Sequence, residues 1–200
     1  MKVVGITGGI GSGKTTVCRI FEILGIPVFY ADLEAKKLYE DEKIKTKTVK
    51  IFGKKILSEK GDIDKRKLAE IVFNDEPSLS KLNALIHPSV KKAFSVWIQN
   101  NKNAVYAIKE AAIMIESGSN KEIDYIISVI SPKSVSIKRV INRDKLSESD
   151  IIRRIKAQIS DKERAKSSDE IIYNDDGHSL IEQVLKIHDR MSKKIIHFSF

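Results

Sequence analysis

The first sixteen residues constrain this chain most. Lys2-Val3-Val4-Gly5-Ile6-Thr7 is an apolar run of strand character that enters Gly8-Gly9-Ile10-Gly11-Ser12-Gly13-Lys14-Thr15-Thr16 directly. Gly8 to Thr15 has a glycine, four residues, then Gly-Lys and a hydroxyl residue, which is the spacing of a phosphate-binding P-loop. A loop that curls round a triphosphate needs positive φ at some residues and no Cβ where backbone N–H groups approach phosphate oxygens, so glycine suits it. Lys14 then reaches the β- and γ-phosphates as a point charge, and Thr15 offers its hydroxyl to Mg²⁺.

Such a loop has to lie between a strand and a helix, and the sequence supplies both. Val17, Ile20, Phe21 and Leu24 fall at i, i+3, i+4 and i+7, the stripe of an amphipathic helix, and Gly25 stands where a C-terminal cap belongs. The helix N-terminus therefore aims its N–H groups and positive dipole end at the loop, which favours bound anions. A glycine-rich turn with a surface lysine, the competing reading, predicts neither flank.

Two hundred residues allow one sizeable core with small excursions. No stretch approaches the length of apolar sequence that a membrane span needs, so the chain is expected to be cytoplasmic, without a membrane partner. A single cysteine, Cys18, excludes an intrachain disulfide and reads as a small buried residue of the first helix. The net charge of +9 suits an acidic partner. There is no aromatic-rich basic motif or metal-finger spacing, so nucleic acid is not expected; a pair of polyphosphate substrates would explain the charge, part of which is a solvated basic surface. His87, His178, His188 and His197 have no metal-ligand spacing, and no obligatory protein partner is evident.

Pro27-Val28-Phe29-Tyr30 reads as a short buried parallel strand ending in Ala31-Asp32. Ligands bind at the carboxyl ends of strands in open α/β sheets, so Asp32 is either a site acid or the N-cap of a helix over 33–39. Residues 33–100 read as helical, with at most a short extended piece at Ile56-Leu57, a turn at Gly61, Asp62 or Asp64 as a cap, and a helix broken by His87-Pro88. Strand character returns at Ala104 to Ile108, Asp124 to Ile130 and Glu170 to Tyr173, and Ala111 to Ile115 is apolar enough to cover the sheet. Ser131-Pro132 marks a helix start. Between Lys138 and Lys166 lie ten Lys or Arg, with a capping pattern at Ser147 to Asp150. A basic helix is usually only solvated, but beside a P-loop it also fits an arginine-bearing lid that excludes water. Leu180 to Met191 reads as a last helix, and the apolar tail 195–200 is too short to classify.

Several segments together resemble the dephospho-CoA kinase family. They are Gly5 to Val17; Leu24-Gly25-Ile26-Pro27-Val28 with Ala31-Asp32; Gly61-Asp62-Ile63-Asp64-Lys65-Arg66; Leu82-Asn83-Ala84-Leu85-Ile86-His87-Pro88; Arg143-Asp144; Arg154-Ile155-Lys156-Ala157-Gln158; and Ile172-Tyr173-Asn174-Asp175. The resemblance implies transfer of phosphate from ATP, with Mg²⁺, to the ribose 3′-hydroxyl of dephospho-CoA. It implies that Gly9, Ile10, Gly11, Ser12, Gly13, Lys14, Thr15 and Thr16 bind ATP, that Thr15 meets the metal, and that Asp32 is the base. Lys65, Arg66, His87 and Pro88, with Asp32, are then expected at the acceptor, and Arg143 and Arg154 as lid arginines that offset charge alongside Lys14. Tyr30, Lys36, Lys65 and Arg164 depart from residues common in that family, and Glu110 to Glu116 lacks its proline. Lysine cannot reproduce an arginine's bidentate fork, so affinity is more exposed to these departures than the reaction is.

The expected architecture is an α/β, P-loop NTPase-type parallel sheet flanked by helices, with a helical substrate-binding insertion and a helical lid. The core is expected at 1–32, 101–137 and 167–200, the insertion at 33–100 and the lid at 138–166. The first rival is another small-molecule or nucleotide kinase on the same core. A GTPase-type switch is the second, but no Asp lies three residues before any Gly that could mark a switch, and Asn-Lys-x-Asp is absent.

Overall fold

A computed structural model describes residues 1–144 and 147–196; His197 and the rest of the apolar tail, 197–200, lie outside the described residues. Five strands, β1 (Lys2–Gly8), β2 (Val28–Tyr30), β3 (Tyr106–Glu110), β4 (Tyr125–Ile130) and β5 (Glu170–Tyr173), form one parallel sheet in the order β2-β3-β1-β4-β5. β1 is central, with Val4 opposite Ile108 of β3 on one side and Tyr125 of β4 on the other. Parallel strands covered on both faces favour apolar residues, which is why β2 and β4 read as largely apolar runs.

Nine α-helices are described: α1 (Lys14–Ile23), α2 (Ala31–Lys37), α3 (Glu42–Phe52), α4 (Lys65–Asn74), α5 (Glu76–Asn100), α6 (Lys133–Asp144), α7 (Glu148–Lys156), α8 (Asp161–Lys166) and α9 (Leu180–Ile196). Two compact units divide the chain, residues 1–30 with 100–200, and residues 31–99.

The first unit holds the sheet. Val4, Ile6, Ile108, Ile127, Val129 and Ile172 of the strands pack with Val17 and Phe21 of α1 and with Val184 and Ile187 of α9. Each such side chain contributes about 1.5–3 kcal/mol by leaving water. α1 ends in a Schellman turn: Gly25 takes φ +80°, Ile26 N–H reaches the Phe21 carbonyl and Gly25 N–H the Glu22 carbonyl. Residues 112–118 form turns. They cover β1 through Met114, fully buried over Gly5, where a Cβ would lie 2.5 Å from the Met114 sulfur. Ser131-Pro132 stands directly before α6, as expected of a helix start, and Ser131 Oγ accepts a hydrogen bond from Arg139.

The second unit is helical, with its own core of Ile44, Phe52, Ile56, Ile63, Leu68, Val72, Leu82 and Ile86. Asp64 caps α4 and Leu57 forms an isolated antiparallel bridge to Ile63. The expected break at His87-Pro88 does not occur: α5 runs through Pro88. An interior proline costs about 3 kcal/mol because the carbonyl four residues earlier loses its donor. Here that carbonyl belongs to Ala84, an exposed residue whose surface is open to solvent, and buried Leu82, Ile86 and Phe94 on either side hold the helix together. No helix among the described residues is long and apolar enough to cross a membrane.

Candidate active site

β1 delivers the chain into residues 8–13, and α1 starts at Lys14 with Gly13, which has no capping side chain, at its N-cap. No acid lies in the first turn of α1, so the positive end of the helix is not offset locally and favours an anion at the loop. Gly11 and Gly13 take φ of +78° and +97°. A Cβ would lie 2.4 Å from the Ser136 carbonyl oxygen at Gly11 and 1.9 Å from Asn174 Nδ2 at Gly13, so both positions demand glycine on space as well as conformation.

Lys14 folds back over the loop. Its Nζ donates to the Gly8 carbonyl at 2.9 Å and the Gly9 carbonyl at 3.3 Å, and lies 3.9 Å from Glu110 Oε1. Lys14 is 9% exposed and Glu110 5%. Glu110 ends β3 beside Ile6 of β1, a charged side chain placed where the sequence showed only the edge of a strand. Among the described residues no three acidic, Cys or His side chains converge on a point. Mg²⁺ in phosphoryl-transfer sites is commonly held by phosphate and water oxygens with one or two protein oxygens. Thr15, exposed at the second position of α1, and Glu110 are hard oxygen donors of that kind.

Two side chains from distant sequence grip the loop. Asn174, buried just after β5, donates from Nδ2 to the Ser12 carbonyl at 2.7 Å, while its Oδ1 accepts from Arg139 of α6 at 3.2 Å. Gln158, in the turn after α7, accepts the Ile10 N–H at 2.9 Å through Oε1. Near Gly9 lies Arg164 of α8, 1% exposed, which donates to Asp161 at 2.5 Å and to the Ile159 carbonyl at 3.0 Å and lies 3.6 Å from Glu116. Ser12 Oγ and Arg164 Nε are buried side-chain polar atoms without a hydrogen-bond partner among the described residues. Ser12 belongs to the loop and Arg164 lies beside Gly9, and each such atom costs about 1–3 kcal/mol.

Behind the loop, Cys18 is fully buried, and its thiol is pushed far up by burial and then by the Glu110 charge. It is no nucleophile. Tyr30 packs against the sheet core, its hydroxyl also pushed up by burial.

Arg143 is near the end of α6, exposed, its guanidinium forked onto Asp144 at 2.7 and 2.9 Å. Arg154 is half-buried in α7. Asp32 is the second residue of α2, which begins at Ala31, so it lies inside the first turn and is not an N-cap. Lys65 and Arg66 are exposed in the first turn of α4; His87, half-buried, and Pro88, exposed, lie midway along α5. The sequence pattern did not single out Glu110, Arg139, Asn174 or Gln158 as loop contacts. The one available signal was the resemblance, which includes Gln158 and Asn174 without roles.

The chain matches the family described as Dephospho-CoA kinase over residues 2–179. It is 36% identical to a dephospho-CoA kinase of Bacteroides fragilis over 193 residues, covering 96% of this chain and 94% of that one. Among solved structures, TT1252 from Thermus thermophilus superposes with a TM-score of 0.84 at 28% identity, covering 94% of this chain and 96% of that one. A dephospho-CoA kinase from Campylobacter jejuni superposes with a TM-score of 0.67 at 30% identity, covering 97% of this chain and 99% of that one. With a glycine-lined anion cradle at the end of the central strand and these matches along nearly its whole length, the chain belongs to the dephospho-CoA kinase family.

Proposed function

We infer that this protein transfers the γ-phosphoryl group of ATP to the ribose 3′-hydroxyl of dephospho-CoA, giving coenzyme A and ADP. The observation that carries the reading is the 8–15 loop, with Lys14 held across it and α1 opening directly behind. Lys14 exchanges its carbonyl contacts for phosphate oxygens, and the loop N–H groups hold the rest of the chain of phosphates. Thr15 and Glu110 would hold Mg²⁺ directly or through its waters, and the ion would supply charge neutralisation. Asp32 is proposed as the base that accepts the hydroxyl proton as the acceptor oxygen attacks the γ-phosphorus and the bond to the β-phosphate oxygen breaks. Residues 138–166 are proposed as the lid, with Arg143 and Arg154 offsetting charge on the moving group.

The acceptor assignment is supported by Lys65, Arg66 and Lys67, three cations in the first turn of α4. Cations there oppose the helix dipole. An anionic acceptor brought to that turn relieves the conflict, as the phosphates of dephospho-CoA do; His87 and Pro88 are proposed to line the same subdomain.

The test is an acceptor panel with ATP and Mg²⁺: dephospho-CoA, nucleoside monophosphates, adenosine and pantothenate. ADP is expected to form fastest with dephospho-CoA. Faster turnover of a nucleoside monophosphate would keep the kinase core and overturn the acceptor.

A further inference from the structure

Backbone N–H groups of a P-loop are its phosphate ligands, yet the Ile10 N–H already has an acceptor 148 residues away in sequence, Gln158 Oε1 at 2.9 Å. This acceptor is not a stray surface side chain. The next residue, Ile159, is tied on both sides: its N–H donates to Glu116 Oε1 at 3.1 Å and its carbonyl accepts from Arg164 at 3.0 Å. Arg164 is itself buried, paired with Asp161 and close to Glu116, and it reaches toward Gly9, where a Cβ would lie 3.9 Å from its Nη1 and 3.9 Å from Gln158 Oε1. The amide oxygen of Gln158 is thus presented to the loop by an anchored turn. Resting on the kinase reading above, we propose that Gln158 competes with the nucleotide for the Ile10 N–H and thereby sets ATP affinity: a phosphate oxygen takes that N–H only when Gln158 withdraws.

The chemistry fixes the signs. One N–H donates to one good acceptor at a time, and a neutral amide oxygen in a part-buried site is worth about 1 kcal/mol, or roughly fivefold in affinity. Removing it leaves the N–H to the phosphate. A carboxylate in its place accepts more strongly, because a charged acceptor makes a stronger hydrogen bond, and it also repels the incoming anion.

The experiment uses the full chain with Gln158→Ala and Gln158→Glu. Titration calorimetry measures binding of a non-hydrolysable ATP analogue and of inorganic tripolyphosphate, and NMR measures hydrogen exchange at the Ile10 amide. For Gln158→Ala, the account expects Kd for both ligands to fall roughly fivefold and Ile10 exchange without ligand to speed up on the order of tenfold. For Gln158→Glu, it expects Kd to rise about tenfold or more. Weaker or unchanged binding in Gln158→Ala, or unaltered Ile10 exchange, would overturn the proposal. Because Gln158→Glu preserves the side chain's shape, its loss of affinity is readable even if the alanine variant folds poorly, and unchanged affinity there is equally fatal. None of these readouts involves the acceptor, so a protein that passes them but ignores dephospho-CoA contradicts only the functional reading.

Discussion

The two halves of the P-loop are held by different kinds of structure. Ser12 is gripped by Asn174, which stands at the end of β5 and is oriented by Arg139, itself bonded to Ser131 beyond β4. Ile10 is met by Gln158 from the turn between α7 and α8, a segment anchored by Arg164 and its acidic partners. The first grip is buried and springs from strands whose Val129 and Ile172 are fully enclosed. Breaking it strands a donor or acceptor away from water, whereas the part-buried contact at Ile10 is exchangeable for water or phosphate. The difference teaches that a nucleotide cradle has a built end and an adjustable end.

Lys14 spans the loop from the built end, and its loss is the severest challenge to this division. Lys14→Ala is expected to lower kcat/KM by about a thousandfold, as when a group stabilising transition-state charge is removed. It also takes the cation from beside buried Glu110, so differential scanning calorimetry should register a Tm lower by a few degrees, on the order of 1 kcal/mol. Near-normal turnover would remove the loop from the chemistry altogether.

Asp32 lies outside the loop and sharpens the comparison by separating chemistry from nucleotide binding. Asp32→Asn should reduce kcat roughly a hundredfold or more with Kd for ATP little changed, the size of a general-base contribution. If steady-state kinetics instead show ATP binding collapsing while kcat at saturation survives, Asp32 serves the metal. For Arg66→Ala, loss of one charge-assisted hydrogen bond predicts a KM for dephospho-CoA about tenfold higher and a KM for ATP unaltered.

Asn174→Ala tests the built end directly. It strands the Ser12 carbonyl and the Arg139 guanidinium, for a cost of about 1–3 kcal/mol and a Tm lower by roughly 3–10 °C at this chain length. Gln158→Ala should lower Tm by only about 2–3 °C, since it removes one part-buried hydrogen bond of about 1 kcal/mol and leaves no buried group unpaired. Equal losses from the two variants would erase the distinction between the ends. The smallest expected effect is at Cys18. Its thiol is held protonated by burial and by Glu110, so at pH 8 it should resist alkylation in the native protein, with or without nucleotide, and react on denaturation.

What the sequence made legible was local. Gly8 to Thr15 declares itself because loop, strand and helix are contiguous, and β5 is visible because Glu170 to Tyr173 sits between breakers. β3 was expected at Ala104 to Ile108 but spans Tyr106–Glu110: Lys109 and Glu110 are charged, and only pairing with β1 and β2 on either side makes them strand residues. Pro88 read as a break because its neighbours' burial was invisible. Gln158 and Asn174 reach loop residues 148 and 162 positions away, contacts that no periodicity encodes. The capping box that starts α8, Ser160 with Glu163, is a local signal of the same kind as the pattern at Ser147.

The central claim is transfer to one hydroxyl, and the most direct measurement is where the new phosphate sits. The protein is incubated with ATP, Mg²⁺ and dephospho-CoA, and the product is analysed by phosphorus–proton correlation NMR. The account predicts a phosphomonoester coupled to the ribose 3′ proton, formed together with an equal amount of ADP. A phosphate on another position, or ADP accompanied only by inorganic phosphate, would contradict it.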